Sequence, residues 1–121
     1  MTDKLAQGIA GEQATIDYLR TNGFLIMERN WRCGQCEIDI IATQNGIIHF
    51  VEVKTRRFGS LTLPEEAINP RKTRALHRAA SAYMAMHGID AEPQFDLAAV
   101  DAMPDGTMQV RYIENAIEFG W

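Results

Sequence analysis

Apolar residues recur along this chain in two rhythms, one of three to four residues and one of two, and the boundaries between them are sharply punctuated. From about Asp3 to Asn22 the apolar positions Leu5, Ile9, Ile16 and Leu19 step by four and three once position 12 is filled in. That predicts an amphipathic helix capped by Thr2 or Asp3 and stopped at Gly23. The member missing from the stripe is Glu12. "FLIMERN", residues 24–30, then reads as a strand, and 36–43 and 47–55 as two more, joined at Asn45-Gly46, the strongest short hairpin signal. "NPRKTRALHRAASAYMAMHG" predicts a second helix, with Asn69 as its cap, Pro70 in the first helical position and Gly88 at its end. Residues 94–100 and 108–117 read as later strands, separated by a turn at Pro104, Asp105 and Gly106. The expected architecture is an α/β domain, a mixed β-sheet flanked by helices, filling residues 1–121 as one unit.

The hairpin carries charge where packing is expected. With Asn45 and Gly46 as the loop, cross-strand partners sum to 91, which sets Ile41 against Phe50, Asp39 against Glu52 and Glu37 against Lys54. All six then share one face, apolar at the turn end and ionic at the other. Like charges directly opposite destabilise a sheet, so something positive is expected between Asp39 and Glu52. Lys54 supplies one charge, and two converging carboxylates suit a hard dication such as Mg²⁺. The competing reading is a hydrated surface face on which Glu37 pairs with Lys54. Glu12 poses a related question, because a carboxylate in a buried stripe must either find a partner or reach solvent from the stripe's edge. Gly8 and Gly11 flank it, and each costs about 1 kcal/mol in a helix interior, which points to close approach of another chain segment.

Charge distribution adds to this. The formal net charge is −4, which argues against coating nucleic acid by bulk charge. Yet residues 54–78 hold seven basic and two acidic side chains, a local +5 that leaves −9 for the rest of the −4 chain. Such a segment is either a phosphate-binding face or a solvated basic helix. No apolar run reaches the ~20 residues that cross a bilayer, and no secretory h-region is present, so a cytoplasmic, membrane-free protein is expected.

The quoted stretches "GEQATIDYLRTNGF", "RNWR", "EIDIIA" and "FVEVKTR" together resemble the YraN-like family of small bacterial predicted endonucleases, which are restriction-endonuclease-like, of the PD-(D/E)XK superfamily, and similar to archaeal Holliday junction resolvases. The resemblance spans roughly residues 11–96. It implies Asp39 as the acidic position, Glu52 and Lys54 as the E-x-K pair, and Glu12 as the acid on the first helix. It also implies a DNA-cleaving hydrolase with one or two Mg²⁺ (or Mn²⁺) ions held by Asp39, Glu52, the Val53 carbonyl and Glu12. Two departures stand out: Cys36 occupies the place of a glycine before "EID", and no proline precedes Asp39.

On that basis DNA is the expected partner, branched or flapped forms included, and symmetric cutting of two strands would call for a homodimer. Arg56, Arg57, Arg71, Lys72 and Arg74 would hold the phosphate backbone, with Lys72 near the scissile phosphate and "RRFGSLTLPEEAIN" ordering on DNA. Lys54, with an unperturbed pKa near ~10.4 and acids beside it, is expected to stay charged and to orient the nucleophile rather than act as a base. Two further classes stay open: a nucleic-acid-binding domain inactive alone or active only with a partner, and a plain interaction domain. "CGQC" is followed by a strand rather than a helix, so Cys33 and Cys36 read as incidental. His49 falls on the hairpin face away from the acids, and Trp31 reads as core more readily than as a base-stacking ring.

Overall fold

The computed structural model describes residues 2–61 and 69–117. Helix α1 (Thr2–Thr21) is followed by strands β1 (Leu25–Cys33), β2 (Cys36–Gln44) and β3 (Ile47–Arg57), helix α2 (Pro70–His87), and strands β4 (Glu92–Ala102) and β5 (Met108–Ile113). The side chains of Thr2 and Asp3, the expected α1 cap, and the loop residues 62–68 lie outside the described residues. One mixed sheet runs in the order β1-β2-β3-β4-β5. Among the described residues only β3 and β4 pair in parallel, and α2 makes the crossover between them.

Local sequence sets the element ends. Asn69 Oδ1 accepts the Lys72 backbone N–H at 2.9 Å, Pro70 opens α2, and Gly88 closes it at φ 61°. Asn45 and Gly46, at φ 53° and 78°, form the tight turn that fixes the β2–β3 register as expected, from Gln44 against Ile47 to Ile40 against Val51. A second two-residue turn places Cys33 opposite Cys36, both unbonded, in a hairpin.

The sheet divides the core in two. On one face Ile38, Ile41, Ile48, Phe50 and Phe95 pack against Leu76, Ala79, Ala80 and Tyr83 of α2. On the other, Ile40, Ala42, Val51 and Ala98 pack against Ile16 and Leu19 of α1. Burying each such large side chain contributes about 1.5–3 kcal/mol. Trp31 belongs to the α2-side core, edge-on to Tyr83 at 5.1 Å.

The first half of α1 departs from the expected stripe. Leu5 and Ile9 are 69% and 58% exposed, while Thr15, Ile16 and Leu19 are buried. Periodicity identified the helix but could not show that its N-terminal half runs past the packed sheet. Gly11 marks the last point of close contact: a Cβ there would stand 1.9 Å from Thr55 Oγ1 on β3, whereas Gly8 has open space around it. Gly11→Ala is therefore expected to destabilise by about 1–3 kcal/mol despite the better helix propensity of alanine. Urea unfolding of Gly11→Ala, Thr55→Ala and the double variant checks this, since the double should lose less than the sum of the singles.

A buried polar knot ties β3, β4 and β5. Asp96, fully inaccessible, accepts from Gln94 Nε2 at 3.0 Å and the Asn115 N–H at 2.9 Å, pairs with His49 Nδ1 at 2.7 Å, and takes the Tyr112 hydroxyl. Burial pushes its carboxyl up, but the bonds from His49, Tyr112, Asn115 and Gln94 outweigh it and hold the group below the usual range.

Candidate functional site

The β2–β3 ladder ends at Ile40 and Val51, and beyond that point the two strands part. β2 stays with β1, while β3 runs on to Arg57 beside β4. The same level is irregular on β1: flanking pairs set Asn30 opposite Asp39, yet neither is in the ladder, and Asn30 stands at φ 50°. Strand alternation breaks there too, because Ile38 and Ile41, odd and even, both enter the α2-side core.

This corrects one expectation. Asp39 does not face Glu52 as a cross-strand pair. Freed from the ladder, it turns Oδ2 onto the Val53 N–H at 2.8 Å, satisfying a donor that β2 no longer meets. In a strand a residue's N–H and C=O point to the same side, so the Val53 carbonyl also faces the fork. Glu52 keeps the side of the sheet expected from Phe50, is 6% exposed, and binds Lys72 Nζ through Oε2 at 2.7 Å. Lys72, expected near a phosphate, thus already neutralises an acid of the site. Glu37 pairs with Arg32 at 3.6 Å rather than with Lys54.

The acids nevertheless feel one another. Burial first, then the charge of Glu52, with smaller effects of Glu12 and Glu37, push the Asp39 carboxyl up to about 7, against the opposing Val53 hydrogen bond. Asp39 on β2 thus feels Glu52 on β3 most and Glu12 on α1 less, while Glu12 and Glu52 line separate hollows, Glu12 beside Lys54 and Glu52 beside Lys72. For Lys54, burial, Arg56 and Lys72 outweigh the pull of Glu52 and Asp39 and hold its ammonium below the ordinary lysine range. Among the described residues, no three His, Cys, Asp or Glu side chains are gathered closely enough to hold a metal ion as they stand. The donor set still fits a hard dication, because an Asp39 carboxyl pushed up by burial and by neighbouring carboxylates lacks a full complement of positive charge.

Beside the fork lies a cleft of ≈ 1020 Å³ between the N-terminal half of α1 and the end of β3. Lys4, Lys54, Arg56 and Arg57 line it, together with Glu12 and Phe58. Arg56 and Arg57 thus lie in this cleft, whereas Arg71 and Arg74 are exposed on α2 and are not among its described lining residues. Phe58, Lys4 and the Lys72–Glu52 contact were not anticipated. The cluster "RRF" carried a signal for Phe58, but nothing local signals a contact twenty residues apart. His49 lies in the buried knot, away from the fork.

These features define an α/β domain, consistent with a restriction-endonuclease-like fold, in which parted strands concentrate carboxylates beside a basic cleft. The chain belongs to the uncharacterised protein family UPF0102, whose profile matches residues 11–100. It is 44% identical over 110 residues to a UPF0102 protein of Symbiobacterium thermophilum, covering 90% of this chain and 93% of that one. A UPF0102 protein of Bacteroides fragilis is 39% identical over 109 residues (90% and 89%), and one of Syntrophus aciditrophicus 37% over 122 (100% and 95%). No described helix is long and apolar enough to cross a membrane.

Proposed function

We propose that this protein is a metal-dependent endonuclease that hydrolyses DNA phosphodiester bonds, of the PD-(D/E)XK kind that the sequence resembles. The observation that carries the reading is Asp39 at the strand fork, where it binds the Val53 N–H and is pushed up to about 7 by burial and by the charges of Glu52 and, more weakly, Glu12. Asp39, Glu52, the Val53 carbonyl and Glu12 would hold Mg²⁺ or Mn²⁺. Such an ion supplies Lewis-acid activation of water and charge neutralisation at the phosphate. Lys54, at the open end of the fork, stabilises charge that develops on the phosphate oxygens. Lys72, 42% exposed and joined to Glu52 by one contact, is free to turn to a phosphate when Glu52 takes another cation. Arg56 and Arg57 hold the backbone along the cleft and read no sequence.

The Lys72–Glu52 contact also favours a second reading, a DNA-binding domain whose site stays self-neutralised until a partner completes it. A panel of linear, flapped, four-way and single-stranded DNAs incubated in Mn²⁺ separates the two. The nuclease reading expects nicking of at least one substrate, lowered by about two orders of magnitude in Glu52→Gln and in Lys54→Ala. Binding without nicking supports the second reading, and cutting that survives both substitutions belongs to another site.

A further inference from the structure

We infer that Phe58 is a stacking platform for an unpaired nucleotide, so that the cleft's substrate class is DNA with a single-stranded segment next to the cleavage site. This rests on the reading of the cleft as a nucleic-acid groove and names what enters it. The ring is 56% exposed and lines the cleft, so one face is open to a ligand lying there. It is also firmly placed. Its N–H donates to Ala102 O at 2.9 Å, extending the β3–β4 ladder by one residue, and Ser60 N–H closes a turn onto Arg57 O at 3.0 Å. Gly59, at φ 85°, occupies the turn position that demands a left-handed backbone and so holds Phe58 at its apex.

The surroundings identify the occupant. Among the described residues, Lys4, Lys54, Arg56 and Arg57 line the cleft with the carboxylate of Glu12, in a chain of net charge −4. Concentrating cations there on an acidic protein suits a polyanion. A paired base offers its face only to its neighbours in the stack, whereas an unpaired one presents a π-face to any fixed aromatic beside a basic track. Arg57 and Phe58 are consecutive, so a phosphate and the base it carries can be met by adjacent residues. Phe58 acts here by positioning the strand.

The test is fluorescence anisotropy in Ca²⁺ with a short single strand, a blunt duplex, and the same duplex bearing an unpaired tail with 2-aminopurine beside the junction. Wild type is expected to prefer the tailed and single-stranded probes and to quench the 2-aminopurine. Phe58→Ala should lose about 5- to 100-fold in affinity for those two, leave the blunt duplex unchanged, and abolish the quenching, while Phe58→Trp retains all three properties. Binding that is intact and indifferent to Phe58, or weakened equally for every probe, overturns the stacking role and leaves the nuclease reading standing. A fall in melting temperature in Phe58→Ala would reassign the ring to packing. Failure to bind any probe overturns both.

Discussion

At pH 8 the Asp39→Asn protein is expected to melt several degrees above the wild type and to have lost DNA nicking by about two orders of magnitude or more. The two effects share one cause. The folded-state pKa of Asp39 is about 7 against an ordinary 3.8, so between those values the folded protein binds a proton that the unfolded chain has released. Stability therefore falls as pH rises from about 4 to about 7, and above that the full cost of the buried charge applies, on the order of a few kcal/mol. Asparagine keeps an oxygen to accept the Val53 N–H but carries no charge. Its melting curve should be flatter across that pH range and higher at its alkaline end. Added Mg²⁺ at pH 8 should raise the wild-type melting temperature and leave the variant's unchanged. Differential scanning calorimetry from pH 4 to 8, with and without Mg²⁺, reads all of this. A variant that melts below the wild type at pH 8 would mean that the Asp39 charge is already satisfied by the protein.

The second large effect is structural. Asp96→Ala removes the acceptor shared by Gln94, Tyr112, the Asn115 N–H and His49, of which Gln94 keeps Glu114 as a partner. Breaking such a network costs about 3–5 kcal/mol, which for a chain of this length lowers the melting temperature by roughly 10–20 °C. Asp96→Asn should recover only part of the loss, since its amide group adds donors where donors already converge. Thermal unfolding followed by circular dichroism decides it: a shift of a degree or two for Asp96→Ala would show that the knot contributes little.

What the sequence discloses differs between residues for physical reasons. Asn45-Gly46, Asn69-Pro70 and Gly88 act through their own backbone preferences, so the hairpin register and the limits of α2 followed from them alone. Leu5 and Ile9 obey the helical period yet face solvent, because period says which side of a helix is apolar and nothing about how far the sheet beneath extends. Asp39 was placed correctly near Glu52 but wrongly opposite it. Alternation assumes an unbroken ladder, and the interruption depends on two strands meeting at Asn30, whose tolerance of positive φ was the one local hint. The Lys72–Glu52 pair joins α2 to β3 through the fold, where charge counting could suggest attraction but not a partner.

The parted strands have one more consequence. From Glu52 onward β3 lacks its β2 neighbour, so the sheet carries an open margin in its interior as well as at its two sides. Such a margin invites strand addition from a neighbouring molecule, and natural sheets deter it with charge. Lys54, Arg56 and the Asp39 carboxylate on the Val53 amide provide that charge here. The residues assigned to chemistry therefore also guard solubility, and a protein stripped of them in pursuit of an inert control should be watched for fibrils.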